Sequence, residues 1–226
     1  CTEALDQAIL DYNRTTVVRL VPRDGHENYL RFMNAEPFTT SRVELGKQPG
    51  RNEVRIQGFR SDGTAYSAEE IVPNITHEIG HELGLIHEHL RSDRDRFIGR
   101  NPNCNPDGVY EYLRSVWIDT GNVTFTDDGA ELLTRYDFDS IMHYNFQVPR
   151  PGGGNCDTWV RLSTCTNRDP ASENCRGEFF GDVLTQRDIE GIHKLYIEVP
   201  GAAARLPEPA QVQQFSDGNV RHRGGG

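Results

Sequence analysis

The sequence has no long apolar run and no excess of basic side chains. No hydrophobic stretch approaches the ~20 residues that a membrane-spanning helix needs, so no membrane span is predicted. Acidic residues outnumber basic ones by 34 to 24, and the formal net charge is −10. Because a phosphate backbone requires a basic face, nucleic acid is not an expected partner.

Cysteine is scarce over the first hundred residues, and no Cys-x-x-Cys pair occurs, which disfavours a structural zinc site built from cysteine. Three of the five cysteines lie close together in a stretch rich in Gly, Pro and Asn. Two interpretations are open: free thiols of a cytosolic protein, or disulfides in an oxidising compartment, and the context favours disulfides and a secreted protein. Five is an odd number, so one cysteine lacks a partner within the chain. The five are Cys1, Cys104, Cys156, Cys165 and Cys175.

The 226 residues have 35% hydrophobic and 26% charged side chains, a composition typical of a globular protein with one sizeable core. Pro73 is expected in the first turn of a helix that ends at Gly84. Thr185 and Asp188 are expected to begin the last helix. The predicted helices are 2–13, Pro73–Gly84 and one from Thr185, and the predicted strands are Val17–Val21, Tyr29–Met33 and Glu53–Gly58. Residues 199–226, which have little to bury, are predicted to be a flexible tail or linker.

The most informative segment runs from Thr76 to Glu88. His77 and His81 are four residues apart, so on a helix they project from one face as two zinc ligands must. Glu78 follows the first histidine, where its carboxylate can reach a metal-bound water without binding the metal. Gly84 permits a sharp turn that brings His87 back as a third ligand. Three protein ligands leave a coordination position open, which is typical of catalytic zinc.

The alternative is a solvated helix that carries histidines by chance. Five specified positions, each filled at roughly one in twenty, give on the order of one in ten thousand for a chain of this length. We therefore favour the metal site.

A second motif follows at Ser140-Ile141-Met142-His143-Tyr144. Alone it is typical of a buried turn, with Met142 in the core and Tyr144 as a hydrogen-bonded phenol. Beside a three-histidine site it is similar to the methionine-containing turn that floors the zinc site of metzincins.

Together these motifs resemble metzincins of the astacin family of zinc metalloendopeptidases. Glu88, directly after the third histidine, distinguishes astacins within that superfamily, and the continuation from Leu90 to Asp95 is also similar to theirs. The segment that begins at Leu184 resembles the family's closing helix. The resemblance covers roughly residues 2–198.

The resemblance implies an α+β, metzincin-like fold. Its N-terminal lobe, 1–84, would hold a twisted mixed sheet and two helices, and its irregular C-terminal lobe, 85–198, would carry the closing helix. The zinc cleft would lie between the lobes of this catalytic domain, 1–198. One zinc ion is the implied cofactor, and proteins or peptides are the implied substrates.

The resemblance also implies roles for individual residues. Glu78 would be the general base, and Tyr144 would ligate zinc at rest and then stabilise the oxyanion. A substrate peptide would lie along an edge strand at Val54–Gly58 by β-augmentation. The metal ligands would be His77, His81 and His87, the structural residues at the site would be Gly84, Glu88 and Met142, and the substrate-binding residues would be Val54, Arg55, Ile56, Gln57 and Gly58.

The sequence departs from the family pattern in two places. The segment expected before the first helix is missing, which predicts an N-terminally truncated chain or a different organisation in which Glu88 lacks its usual partner. Val17 stands where a cysteine is expected in the first strand. The cysteine pattern favours a divergent microbial member.

Other polar residues near the motif have ordinary interpretations. Glu82 and His89 are predicted to be solvated or salt-bridging, and Asp93 and Asp95 to form local ion pairs with Arg94. Asp127–Glu131 lacks the spaced oxygens of a calcium loop. An arginine after the methionine-containing turn would favour acidic side chains in the substrate, and the candidates are Arg150, Arg161 and Arg176.

The expected function is cleavage of internal peptide bonds. Two other hypotheses stay open: a zinc-bound but inactive recognition module, and a truncated fragment that does not fold alone.

Overall fold

A computed structural model describes most of the chain. The described residues are 2–35, 41, 43, 45–46, 49–60, 62–102, 104, 117–118, 123–124, 131–143, 147–149, 154–171, 174–175, 177, 179, 181–198 and 211–213. The helices among them are α1 (Thr2–Thr15), α2 (Ala68–Glu82) and α3 (Gln186–His193). The strands are β1 (Val21–Pro22), β2 (Tyr29–Asn34), β3 (Arg51–Ile56), β4 (Ile98–Arg100), β5 (Trp117–Ile118), β6 (Val123–Thr124), β7 (Gln147–Pro149), β8 (Asn155–Asp157), β9 (Trp159–Arg161) and β10 (Gln211–Gln213). The fold mixes helices and sheets, as the predicted α+β class requires.

The main described sheet has the order β1-β10-β2-β3, and each of its pairs is parallel. Residues alternate along β3, so that Asn52, Val54 and Ile56 are buried against α2 while their neighbours are more exposed. β10 comes from the segment predicted to be a tail, and its backbone lies between β1 and β2. The short strand pairs β4·β9, β5·β6 and β7·β8 are antiparallel.

The predicted strand at Val17–Val21 is wrong except for its last residue, because α1 supplies the local backbone with other partners. The side-chain oxygen of Asn13 accepts a hydrogen bond from the amide of Leu20 at 2.7 Å, and its side-chain nitrogen donates to the carbonyl of Leu20 at 2.9 Å. These bonds occupy the backbone groups that a strand would need for its ladder.

Helix α2 begins five residues before the predicted Pro73. Its start is fixed by a capping box in which Ser67 accepts from the amide of Glu70 and Glu70 accepts from the amide of Ser67. Pro73 therefore lies inside the helix, where it supplies no amide hydrogen. The predicted end is confirmed, since Gly84 has φ +98°, in the left-handed region that favours glycine.

The helices pack into one hydrophobic core with the main sheet. Tyr12 of α1 is fully buried, and its hydroxyl donates to the carbonyl of Thr76 in α2 at 2.8 Å. The predicted capping box of Thr185 and Asp188 begins α3, which continues as a π-helix over Lys194–Glu198. Ile192 and Tyr196 from this closing segment join the same core. No helix in the described part of the chain is both long and apolar enough to cross a bilayer.

Two disulfides join Cys104 to Cys156 and Cys165 to Cys175, so the expectation of disulfides is confirmed. Four of the five cysteines are thereby paired. Cys1 lies outside the described residues.

Candidate metal centre

Three histidine rings converge where α2 ends. His77 and His81 lie one turn apart on α2, and the left-handed turn at Gly84 returns the chain so that His87 faces them. The Nε2 atom of His87 is 3.1 Å from the Nε2 atom of His77 and 3.1 Å from that of His81. In the part of the chain that the structure describes, these rings form the one group of three metal-binding side chains whose ligand atoms lie together.

Backbone carbonyls fix the tautomers of two rings. The Nδ1 atom of His77 lies 2.7 Å from the carbonyl oxygen of Ile141, and that of His81 lies 2.8 Å from the carbonyl oxygen of Leu85. A carbonyl oxygen only accepts, so each Nδ1 carries the hydrogen and donates it. In the neutral ring the Nε2 lone pair then points toward the other two histidines.

Burial keeps the three rings neutral. It lowers the pKa of His77, lowers that of His81 to about 3, and lowers that of His87 well below its usual value. The mutual proximity of the rings lowers the pKa of His81 and His87 further. Neutral imidazole is the form that binds metal ions.

The arrangement fits one zinc ion. Zinc–nitrogen bonds of ~2.0–2.1 Å in a tetrahedral site place the ligand atoms about 3.3 Å apart. The observed 3.1 Å separations are close to that spacing. Lone pairs that face one another repel unless a cation lies between them, and imidazole nitrogen is a preferred zinc ligand. The donor set and its spacing therefore suit zinc.

Glu78 lies beside the first of these histidines and is 5% exposed. Burial raises the pKa of its carboxyl to about 8. Its Oε2 atom is buried and has no hydrogen-bond partner among the described residues. Glu78 thus carries an acceptor oxygen that no described residue occupies.

The methionine-containing turn lies directly under α2. A side chain at Gly80 would place its Cβ 2.6 Å from the Sδ atom of Met142, so the close approach of the turn depends on this glycine. The carbonyl of Met142 accepts from the amide of Glu88 at 2.9 Å, which joins the turn to the residue after the third histidine. Sequence reasoning did not single out Gly80, although a glycine inside a predicted helix is a signal of close packing.

Glu88 has partners within the chain. Its Oε1 atom accepts from the amide of Asp137 at 2.7 Å and lies 3.5 Å from the guanidinium of Arg91. Burial raises the pKa of Glu88 to about 7, and Arg91 opposes that rise. Arg94 pairs with Asp95 at 3.5 Å, as predicted for the loop after the zinc helix. Asp93 pairs instead with Arg91, at 2.9 Å.

Glu82 and His89 are not solvated as predicted, because both side chains are buried. The Nδ2 atom of Asn52 donates to Glu82 Oε1 at 2.5 Å, which links α2 to β3. His89 is 1% exposed and stacks on His87 with a centroid distance of 5.2 Å. Glu82 is five residues beyond His77 on the helix, so its side chain faces the sheet rather than solvent.

Several predicted residues lie elsewhere or outside the described residues. Tyr144, Arg150, Arg176 and residues 127–130 of the acidic run are among those the structure does not describe. Arg161 is described; it pairs with Asp139 at 3.2 Å and lies over the ring of Phe138. The segment at Val54–Gly58 lies in β3 and the loop after it, with the side chains of Val54 and Ile56 directed into the core.

The site has three converging histidines above a methionine-containing turn, in a fold of mixed helices and sheets. These features define a metallopeptidase type of centre. The family model of Astacin, a peptidase family, matches residues 1–150. The chain therefore belongs to the astacin family, and the family prediction is confirmed.

Individual relatives agree with this assignment. Zinc metalloproteinase nas-6 of Caenorhabditis elegans is 30% identical over 194 residues, which are 85% of this chain and 47% of that protein. High choriolytic enzyme 1 of Oryzias latipes is 31% identical over 141 residues, which are 62% of this chain and 44% of that protein. The solved structure of that hatching enzyme zinc-protease from medaka fish matches with a TM-score of 0.56 and 25% identity, and the match covers 85% of this chain and 80% of the solved one. The chain thus spans less than half the length of these two sequence relatives.

Proposed function

We propose that the chain is a zinc-dependent endopeptidase that hydrolyses internal peptide bonds of proteins. The observation that carries the proposal is the convergence of three Nε2 atoms beside a buried glutamate whose Oε2 atom has no protein partner among the described residues. Family membership supports the same conclusion. In this proposal His77, His81 and His87 hold the ion, which when bound polarises a carbonyl group and makes a water molecule more acidic.

Glu78 is the proposed general base. Without a nearby cation its buried carboxyl holds a proton, since burial raises its pKa to about 8. A positive charge close by favours the carboxylate, which can then take a proton from the attacking water and later give it to the leaving amine nitrogen. The partner-free Oε2 atom is the oxygen we assign to this transfer.

The role of Tyr144 in stabilising the oxyanion is proposed from the family resemblance. Its neighbour in sequence, His143, is buried, and a 2.8 Å hydrogen bond joins its Nε2 atom to the hydroxyl of Tyr136. That bond ties the end of the methionine-containing turn into the second, smaller core around Tyr136 and Trp159.

Substrate alignment along Val54–Gly58 is also part of the proposal. β3 is the last strand in the order of the described sheet, which supports the idea that an extended peptide pairs with it. The amide of Gln57 already donates to Ser41 Oγ at 2.9 Å, and the carbonyl of Gly58 accepts from the amide of Tyr66 at 3.1 Å. The carbonyl of Ile56 accepts from the amide of Ala35 at 2.8 Å, so Ile56 faces β2. Neighbouring residues of a strand face opposite edges, and pairing with a peptide would therefore use the backbone of Arg55.

We further propose a catalytic domain over 1–198, with lobes 1–84 and 85–198 on either side of the zinc site, and an extracellular location. The two disulfides support the location, because such bonds persist in oxidising compartments.

The test is casein hydrolysis by the zinc-loaded chain, with and without a zinc chelator, and by Glu78→Gln. We expect the chelator to abolish hydrolysis, and Glu78→Gln to lose at least 10²-fold in rate, the typical contribution of a positioned base. Glu69→Gln is the matched control, because Glu69 is an exposed carboxylate in the first turn of the same helix. Full activity of Glu78→Gln would contradict the mechanism.

Two further outcomes separate the competing hypotheses. Zinc binding without hydrolysis of any protein substrate would indicate an inactive recognition module. A cooperative melting transition that shifts upward with zinc would dismiss the unstable fragment, because an ion that binds only the folded state stabilises it.

A further inference from the structure

Asp188 lies on the closing helix, far in sequence from the histidines, yet its carboxylate points at the methionine-containing turn. The side chain is 7% exposed. Its Oδ1 atom accepts from the hydroxyl of Ser140 at 2.6 Å, and its Oδ2 atom accepts from the amide of Ile141 at 3.0 Å. Two of its hydrogen bonds thus go to a segment 47 or 48 residues away. Helix capping alone does not require them.

The turn connects this carboxylate to a metal-site histidine through one peptide group. The carbonyl of Ile141 accepts from Nδ1 of His77 at 2.7 Å. The amide of Met142, at the other end of the same peptide group, donates to Ser140 Oγ at 3.0 Å. Ser140 then donates its own hydrogen to Asp188. All three donors point the same way along the chain of bonds, from the imidazole toward the carboxylate.

Hydrogen bonds aligned in this manner polarise one another, more strongly where water is absent. A carboxylate at the end of the series draws the Ser140 hydrogen, which makes Ser140 Oγ a better acceptor for the amide of Met142. The peptide carbonyl becomes more negative in turn and holds the His77 ring by its Nδ1 hydrogen. Ligand histidines are usually oriented by a carboxylate or a carbonyl in direct contact. Here the carbonyl of Ile141 contacts His77, and the carboxylate of Asp188 acts on that carbonyl through Ser140.

We propose that Asp188 is a positioning residue of the metal centre, which orients His77 and raises its basicity through Ser140 and the Ile141–Met142 peptide group. We refer to this series of three hydrogen bonds as the Asp188 relay. It rests on the proposed zinc function, and it assigns to the closing helix a part in metal affinity besides its part in the core.

The test compares zinc dissociation constants of the 226-residue chain and its variants, measured by competition with a chromophoric chelator. Asp188→Asn keeps the size of the side chain but replaces an acceptor oxygen and removes the charge, and Ser140→Ala breaks the relay while leaving Asp188 in place. We expect each to weaken zinc binding roughly tenfold or more, the usual effect of losing a residue that supports a ligand.

Two controls separate positioning from stability. Thr185→Ala weakens the start of the same helix, since Thr185 Oγ1 accepts from the amide of Asp188, and should lower the melting temperature with little change in zinc affinity. Glu190→Gln neutralises an exposed carboxylate on α3 that pairs with Lys194 and should change neither property. Circular dichroism at the titration temperature checks that every variant is folded.

A spectroscopic readout tests the polarisation itself. In the zinc-loaded chain with ¹⁵N-labelled histidine, the Nδ1 proton of His77 should move upfield in Asp188→Asn, because a less negative carbonyl deshields it less. The Nδ1 proton of His81, which donates to Leu85, should keep its shift.

Either relay variant retaining the wild-type zinc affinity would overturn the relay. Failure of the wild-type chain to bind zinc would overturn the proposed function and the relay together. Tight zinc binding by the wild type that is lost in the variants, with the His77 proton displaced, would establish it.

Discussion

Tyr196 lies where the closing segment meets the helix that carries the histidines. Its hydroxyl donates to the carbonyl of Leu83 at 3.1 Å. Burial, with a smaller contribution from the charge of Glu82, raises the pKa of Tyr196 to about 12. The phenol therefore keeps its hydrogen in the folded chain at pH values where an exposed tyrosine loses it.

This shift predicts a specific alkaline instability. An unfolded tyrosine has a pKa of ~10. The stabilisation from the neutral phenol is therefore complete below pH ~10 and is lost as the pH rises toward ~12. The total loss of stability is roughly 2–3 kcal/mol. Tyr196→Phe should remove that part of the pH dependence. Urea unfolding of both chains at pH 8 and pH 11 measures it, and equal losses of stability in the two chains would contradict the assignment.

At the residue scale, spacing alone predicts which three imidazoles come together. An interval of four places His77 and His81 on one face, and Gly84 returns His87 to them. Asp188 is different. Sequence reasoning finds it only as a helix cap, because its contacts with Ser140 and Ile141 depend on how two segments 47 or 48 residues apart pack. The same limit explains Glu82, whose partner Asn52 lies 30 residues away.

At the scale of elements, α2 departs from its expected start because a strong cap competes with a proline signal. Proline fits the first turn of a helix, so Pro73 suggests a beginning there. The capping box satisfies the amides of Ser67 and Glu70, and the helix begins instead at Ala68, five residues before Pro73. The helix consequently has a proline in its sixth position.

Replacing this proline should stabilise the protein. Pro73→Ala restores an amide that can bond to the preceding turn and removes the ring from a helix interior, where proline costs ~3 kcal/mol relative to alanine. The greater freedom of the unfolded chain offsets ~0.4–1 kcal/mol of that gain. We therefore expect a net gain of about 2 kcal/mol, measured by urea unfolding of the zinc-free chain.

Pro22→Ala provides the comparison for Pro73→Ala. Pro22 is exposed, and it ends the short strand β1 outside any helix, so its replacement should bring no helical gain. A Pro73→Ala chain less stable than the wild type would show that α2 packs better with the proline than without it.

At the scale of the whole molecule, the two disulfides close loops of different size. Their sequence separations are 52 residues for Cys104–Cys156 and 10 residues for Cys165–Cys175. Loop-closure entropy predicts contributions of about 4.1 and about 2.7 kcal/mol respectively. Replacing both cysteines of the longer loop with alanine should therefore lower the free energy of unfolding by ~1.5 kcal/mol more than the same change in the shorter loop.

Chemical unfolding of the two double variants and of Cys1→Ala measures this difference. Cys1→Ala is the control, since it removes a cysteine while leaving both bonds in place. A larger loss from the shorter loop would show that local packing, rather than chain entropy, decides how much each bond contributes.

The hydrogen bonds between Asp188 and the methionine-containing turn also bear on how the protein is made. A ribosome delivers the histidines and the turn long before residue 188 leaves the exit tunnel. Until then Ser140 and Ile141 lack the acceptor that fixes their geometry. The growing polypeptide consequently holds an unfinished centre from the synthesis of the turn until α3 docks.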